Sequence, residues 1–432
     1  MTATVEQLRA GQLKGVQRLQ LSCGLTQFPA EIFDLADTLE ILDLSNNKLS
    51  TLPDDLPRLH KLRIIFCSNN PFTELPAVLG SCAELRMIGF KACQIRTVPA
   101  AALPPKLRWL TLTDNAIEHL PEEIGHCAHL QKLMLAGNRL SALPETLVHC
   151  QQLELLRIAA NRLPSLPAWL EQLPHLSWLA CAGNPFSQER EAAALDAASL
   201  PQIAWDRMQL GQQLGEGASG VISQATLDGQ SVAVKVFKGE MTSDGLPGSE
   251  MAACVSAGSH PNMMAVLGTV SAHPQGAPGL VMPLIDAAYG NLAGPPSLAS
   301  CTRDIYRADA SFSGQQVLAI SHGIASAVHQ LHAHGIVHGD LYAHNILYRP
   351  DGACLLSDFG AASLHALDAA ATPVIQGFET RAFGILLEEL LQRCAASLPE
   401  VKTLSAACLA GPPLQRPRFE QIERTLAALL PA

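Results

Sequence analysis

Apolar residues in the first part of the chain recur with a period near 23, and the pattern inside each period is the same. The segment LEILDLSNNKLSTLP (39–53) returns as LRWLTLTDNAIEHLP (107–121), LQKLMLAGNRLSALP (130–144) and LELLRIAANRLPSLP (153–167). One polar position runs through Cys23, Asn47, Asn70, Cys93, Asn115, Asn138, Asn161 and Asn184, at spacings of 24, 23, 23, 22, 23, 23 and 23. Each LxxLxL run predicts a short strand whose leucines point inward. The asparagine turns the chain, and its amide can bond backbone groups left unpaired there. The LP that follows opens the convex side, and a short irregular or helical stretch returns the chain. One such unit cannot bury its own leucines, whereas stacked neighbours can. Eight units, the first slightly irregular, therefore predict a solenoid.

This pattern resembles the leucine-rich-repeat family over about residues 12–186, with residues 1–11 as an N-terminal cap. The residues six before each Asn position are Ile41, Ile64, Met87, Trp109, Lys132, Leu155 and Trp178, and they should align across the concave sheet. Phe66 and Met134 add to the stripe. Apolar residues suit half-exposed strand positions in any case. A stripe with two tryptophans favours a protein-docking surface, formed by Phe66, Met87, Trp109, Met134 and Trp178, for a protein substrate or regulator.

The repeat breaks at residues 187–206 (SQEREAAALDAASLPQIAWD). The first half reads as a short, charged, Ala-rich helix, able to cap the open end of the solenoid. The stretch is too short and too structured for a long tether.

From Met208 the pattern changes. LGEGASGVISQA places Gly215, Gly217 and Gly220 as a GxGxxG, a weak signal shared with dinucleotide-binding folds. A dinucleotide turn runs straight into a helix. Here a short turn, LDGQ, leads into SVAVKVFK, which alternates as a strand. Strand, glycine turn, strand and lysine suit a flap over nucleotide phosphates: bare glycines let backbone amides approach the anionic oxygens, and Lys235 adds a positive charge.

The motifs that follow make the second half similar to protein kinases over roughly residues 207–428. AVK gives Lys235, and Glu250 lies ten residues before His260 of HPN. GLVMPLID carries Met282 at the gatekeeper position. VHGDLYAHNIL supplies Asp340 and Asn345, and SDFG supplies Asp358. ETRAFGILLEELL (379–391) looks like the central C-terminal-lobe helix, and QRPRF, with Arg416, resembles the closing motif. The fold class implied is an α/β leucine-rich-repeat solenoid followed by an α+β two-lobed protein-kinase-like domain. The resemblance implies ATP and Mg²⁺ as cofactors. Asn345 and Asp358 are the expected hard-oxygen metal ligands, and Asp340 the base. Lys235, held by Glu250, anchors phosphates under Gly215, Gly217 and Gly220, beside Met282.

Three departures bear on mechanism. The arginine that the family usually places before the catalytic aspartate is Gly339, so control through a phosphate on the activation loop is not expected. Tyr342 stands where serine/threonine kinases carry a lysine. His344 stands where tyrosine kinases can carry an arginine, and once protonated it can partly substitute. The pattern does not decide between the two specificities, although serine/threonine is favoured for the domain as a whole. Only 21 residues separate Asp358 from Glu379, no APE motif is found, and Glu379 replaces an aspartate.

Composition narrows the reading. Of 432 residues, 48% are hydrophobic and 16% charged, which supports large cores rather than disorder. The net charge of −10 gives no reason to expect nucleic-acid binding. The N-terminal MTATVEQLRAGQLKG has no apolar h-region, and no apolar run is long enough to span a bilayer, so a cytoplasmic protein without membrane contact is expected. Of the 12 cysteines, Cys23, Cys67, Cys82, Cys93, Cys127, Cys150 and Cys181 fill repeat positions and are expected as small buried residues. There is no CxxC pair, and the histidines from His332 to His344 lack the spaced partners of a metal site.

The leading expectation is an ATP- and Mg²⁺-dependent protein kinase whose repeats recruit a substrate or regulator. The alternatives are a nucleotide-binding pseudokinase scaffold and a small-molecule kinase, the second permitted by the reduced peptide ledge.

Overall fold

The computed structural model describes residues 4–197, 200–217, 219–238, 241–242 and 244–430. The expected cap, linker and glycine loop each include residues outside that set, namely Met1–Ala3, Ala198 with Ser199, and Ala218. By contacts the chain divides between His175 and Leu176 into two units. The expected end of the repeats at residue 186 therefore does not coincide with the break: the eighth repeat belongs to the second unit.

The first unit opens with α1 (Val5–Arg9), whose Thr4 and Gln7 form a capping box. Its repeats contribute β1 (Arg18–Gln20), β2 (Ile41–Asp43), β3 (Ile64–Phe66), β4 (Met87–Gly89), β5 (Trp109–Thr111), β6 (Lys132–Met134) and β7 (Leu155–Arg157). Neighbours pair in parallel, and the register links Ile41, Ile64, Met87, Trp109, Lys132 and Leu155 in one row, as the 23-residue alignment requires. The central residue of each strand, Leu19 through Leu156, is buried. After the LP step each chain returns through a 3-10 turn, such as Ala77–Ser81 or Glu122–His126, entered at a proline that has no N–H to leave unpaired.

The asparagines stitch the stack. The Asn70 amide donates to Leu44 O and Cys67 O, both at 2.9 Å, and its oxygen accepts from Leu49 N at 2.9 Å. Asn138 repeats this with Leu112 O, Leu135 O and Ile117 N. Cys93 keeps half of the scheme, its thiol donating to Cys67 O at 3.4 Å. Cys67, Cys82, Cys127, Cys150 and Cys181 are buried as expected, but Cys93 is only half-buried and Cys23 is exposed. Cys23 stands in the first repeat, which has no preceding repeat to cover it.

The second unit begins with the strand of the eighth repeat, β8 (Trp178–Ala180), and α2 (Pro185–Ala197). The expected linker is thus mostly regular structure. Its end forms β9 (Gln202–Ala204), which pairs in parallel at the edge of a sheet. That sheet contains β10 (Met208–Glu216), β11 (Gly220–Leu227), β12 (Gln230–Phe237), β13 (Gly268–Ser271) and β14 (Gly279–Pro283), with α3 (Pro247–Ser256) between β12 and β13 in the chain. The order across the sheet is β10-β11-β12-β14-β13-β9. The alternation of β12 sorts its side chains to opposite faces. Val232 and Val234 pack with Ile203, Met208 and Val281. Ala233 and Phe237 pack with Leu280, Met282 and Met251 of α3.

The C-terminal part is mostly helical. It carries β15 (Gly290–Asn291), α4 (Gly314–Ala333), β16 (Ile336–Val337), β17 (Ile346–Tyr348), β18 (Cys354–Leu356), β19 (Ser363–Leu364), α5 (Thr372–Leu391), α6 (Pro399–Leu409) and α7 (Phe419–Ala427). Ser313 and Gln316 cap α4. Most residues of α5 are buried, as its apolar run from Ala382 to Leu387 demands. Arg416 donates to Gly377 O and Gly411 O, so it ties the start of α5 to the turn after α6. Among the described residues no helix is long and apolar enough to cross a membrane.

Candidate active site

The site is set by where three strand ends fall. On β12, Lys235 shares the face of Ala233 and Phe237, which looks toward α3. There its ammonium pairs with the Glu250 carboxylate and lies 5.1 Å from the centre of the Phe237 ring. Both partners are buried, and burial pushes the Glu250 carboxyl above its ordinary range while Lys235 opposes that rise.

β17 and β18 form an antiparallel pair with Ile346 opposite Leu356. The residue before β17, Asn345, and the residues after β18, Ser357 and Asp358, therefore emerge at one end. Ser357 N donates to Asn345 O at 2.9 Å and its hydroxyl donates to the same oxygen at 2.8 Å. The Asn345 amide donates to Asp340 O and Asp340 Oδ2, each at 2.9 Å, which leaves the Asn345 side-chain oxygen as a further donor to a cation. His338 Nε2 meets Ser357 O at 2.9 Å, and the Phe359 ring packs on the His338 ring at 5.2 Å. Asp358 sits at φ +57°, a left-handed setting uncommon outside glycine, and its Oδ1 accepts from Gly360 N at 3.2 Å.

Gly360 closes the circuit. A Cβ added there would stand 3.1 Å from Asp358 Oδ1 and 3.8 Å from Glu250 Oε2. The Lys235–Glu250 pair and the Asp340–Asn345–Asp358 group thus converge within the second unit. Over them, Gly217 N bonds Gly220 O at 2.9 Å in the β10–β11 turn. A side chain at Gly220 would collide with Val236 O at 2.6 Å, whereas at Gly215 and Gly217 nothing lies within 4 Å. Two of the three glycines therefore face open space, and the third allows close strand approach beside Lys235. Met282 is buried on β14 opposite Ala233.

The departures from the kinase pattern have structural causes. Gly339 holds φ +72°, and a Cβ there would lie 2.5 Å from Leu179 O and 2.6 Å from Ala361 O, so an arginine does not fit. Glu379 reaches from α5 to accept from Gly339 N at 2.9 Å and pairs with His332 Nε2 at 2.7 Å. Burial raises its carboxyl, but His332, His338 and the Gly339 N–H together hold it below its ordinary range. Tyr342 is buried and stacked on Trp178, ring centres 4.1 Å apart. His344 Nδ1 meets Asp304 Oδ1 at 2.7 Å. Burial lowers its pKa, yet Asp304, with Asp340 and Asp358, more than reverses that and raises it. The segment from Asp358 to α5 is short, with β19 pairing with β16 along the way.

The docking stripe needs correction. Trp178 is buried in the second unit, its indole donating to Leu341 O at 3.1 Å, so it is not offered to a partner. Met87 is buried as well. Phe66, Trp109 and Met134 keep partial exposure; Trp109 donates to Thr111 Oγ1 at 2.8 Å, and Lys132 Nζ lies 4.1 Å from its ring centre. Sequence reading missed Asp304, Glu191 and Ser249, which belong to no local motif, and the part played by the Leu179 carbonyl, because each acts on residues far away in the chain.

Residues 208–376 match the protein tyrosine and serine/threonine kinase family, while residues 37–98 and 104–195 match leucine-rich-repeat families. The megakaryocyte-associated tyrosine-protein kinase of Mus musculus is 26% identical over 283 residues, covering 55% of this chain and 53% of the relative. Fibroblast growth factor receptor 1 of Pleurodeles waltl is 27% identical over 210 residues, 44% of this chain and 25% of the receptor. A probable inactive serine/threonine-protein kinase, roco10, of Dictyostelium discoideum is 31% identical over 126 residues, 28% of this chain and 5% of that protein. The chain spans only about half the length of the first of these relatives. With the repeat stack and the converged lysine, carboxylates and asparagine already described, these matches show leucine-rich repeats followed by a domain of the protein tyrosine and serine/threonine kinase family.

Proposed function

We propose that the second unit is an ATP- and Mg²⁺-dependent protein kinase and that the repeats recruit its substrate or a regulator. The observation that carries this is the convergence of Lys235–Glu250 with Asp340, Asn345 and Asp358, five groups spread over more than 120 residues of sequence. The residues fit the groups they would hold. Gly215 and Gly217 leave space for polyphosphate, and Lys235 supplies a charge beneath it. The Asn345 oxygen and the Asp358 carboxylate are hard donors suited to Mg²⁺, which when bound neutralises phosphate charge. Asp340, steadied by Asn345, takes the proton of the acceptor hydroxyl as that oxygen bonds the γ-phosphorus and the bond to ADP breaks. His344, whose protonated form Asp304 favours against the effect of burial, is the cation we assign to the place that Tyr342 leaves without one.

The acceptor is a protein hydroxyl of serine, threonine or tyrosine. The murine and newt relatives are a tyrosine kinase and a growth-factor receptor, and phosphoamino-acid analysis of the product identifies the class. The site of action is the cytoplasm. Recruitment falls to Phe66, Trp109 and Met134, and Phe66→Glu with Trp109→Glu removes partner capture if that assignment is right.

A second reading, a nucleotide-binding scaffold, draws on Gly339, on Tyr342 buried under Trp178, and on the relative described as probably inactive. Labelled ATP with Mg²⁺ decides between the two: incorporation by the protein and none by Asp358→Ala supports the kinase. Equal signals from both proteins, together with an ATP-dependent thermal shift, would leave the scaffold.

A further inference from the structure

Helix α2 is Ala-rich and largely exposed, yet Glu191 in its middle is buried. A buried carboxylate is costly unless hydrogen-bonded, and this one bridges two elements. One oxygen accepts from Gly183 N at 2.9 Å, in the turn after β8, and the other accepts from the Ser249 hydroxyl at 2.6 Å. Ser249 is in the first turn of α3, directly before Glu250. The N-cap of α3 is Leu246, which makes no side-chain cap hydrogen bond, and it is the Ser249 hydroxyl that ties the first turn of α3 to Glu191.

The same repeat also grips the catalytic loop. Trp178 contacts the Tyr342 ring, at 4.1 Å, and the Arg303 guanidinium, at 5.5 Å, and bonds Leu341 O. Leu179 O occupies the space that a side chain at position 339 would need. Asp340 is flanked by these contacts, and Glu250 follows Ser249.

We propose that Glu191 is a positioning residue for phosphoryl transfer. It holds α3 where Glu250 engages Lys235, so that the eighth repeat and α2 form a fixed brace for the site, in the role that a phosphorylated activation segment would otherwise fill. This rests on the kinase reading above, and the test separates the two.

The full chain is compared with Glu191→Ala, Glu191→Gln and Ser249→Ala by steady-state transfer at varied ATP, by ATP affinity and by melting. Glu191→Ala is expected to raise KM for ATP and lower kcat together, by about tenfold in kcat/KM. Glu191→Gln, which keeps hydrogen bonds to both partners, recovers most of the loss, and Ser249→Ala moves the same way by less. In a Glu250→Gln background, Glu191→Ala adds nothing, because its effect runs through Glu250. A lower melting temperature with unchanged KM, or an equal loss in the Glu250→Gln background, would overturn the proposal. Should Glu191→Ala not fold, Ser249→Ala decides by the same readouts. If the unaltered chain transfers no phosphate, the kinase reading fails by itself; the brace is then judged on ATP affinity, and equal affinities for the chain and its variants overturn it.

Discussion

In the first unit the decisive side-chain bonds repeat at one interval: Asn70, Asn138 and Asn161 each bond a carbonyl 26 residues back and another 3 back. In the second unit the bonds that build the site span unrelated distances, 15 residues for Lys235–Glu250, 40 for Gly339–Glu379 and 58 for Ser249–Glu191. A repeating unit solves one packing problem and copies it, so damage is local and comparable wherever it falls. The site is assembled once, from segments that share no local signal, so each of its contacts is singular. The comparison also explains why the eighth repeat departs from the others. Its strand keeps the pattern, and Asn184 still donates to Cys181 O at 2.8 Å, but Trp178 and Leu179 serve the catalytic loop of the second unit.

The contrast is broken most severely at the site. Asp340→Asn is expected to reduce phosphoryl transfer by roughly 10³-fold while leaving melting close to that of the unaltered chain, because one base is lost and no core is touched. Rate and melting measured on one preparation check this, and retained transfer would remove Asp340 from its role. Next comes the ladder. Asn138→Ala leaves Ile117 N without its acceptor and takes one of two amide donors from each of Leu112 O and Leu135 O, which Asn115 and Asn161 still serve, at a cost of about 2 kcal/mol to the repeats. Chemical denaturation should show it in the transition of the repeats, and Asn161→Ala should match it if the units are equivalent.

Acid discriminates between the regions in a further way. His365 in the second unit is buried against Ser363 Oγ at 2.7 Å, and burial, aided by Arg190, pushes its pKa down to about 4. Its folded pKa is depressed, so the stability it contributes is complete above the unfolded value of roughly 6.5 and is lost as pH falls toward 4, at about 1.4 kcal/mol per pH unit. His365→Gln should flatten the acid limb of the second unit's unfolding curve and leave that of the repeats unchanged. The smallest effect sharpens the ladder: Cys93→Asn restores the full donor set toward Cys67 O and should stabilise the repeats by roughly 0.5–1 kcal/mol, visible as a raised denaturation midpoint.

The period of 23 was sufficient for strand positions, register and the asparagine bonds, because each unit meets only its neighbours and neighbours are alike. The motifs in the second half likewise singled out Lys235, Glu250, Asp340, Asn345 and Asp358 by residue type and order, and the fold brings these five together. Only the tertiary structure revealed that Trp178 faces Tyr342 rather than a partner, that Gly339 is compelled by the Leu179 carbonyl, and that Glu191 bonds Ser249. Those outcomes depend on which remote segments come to lie side by side, and a contact made once, between residues without a shared period or motif, leaves no trace in the order of the amino acids.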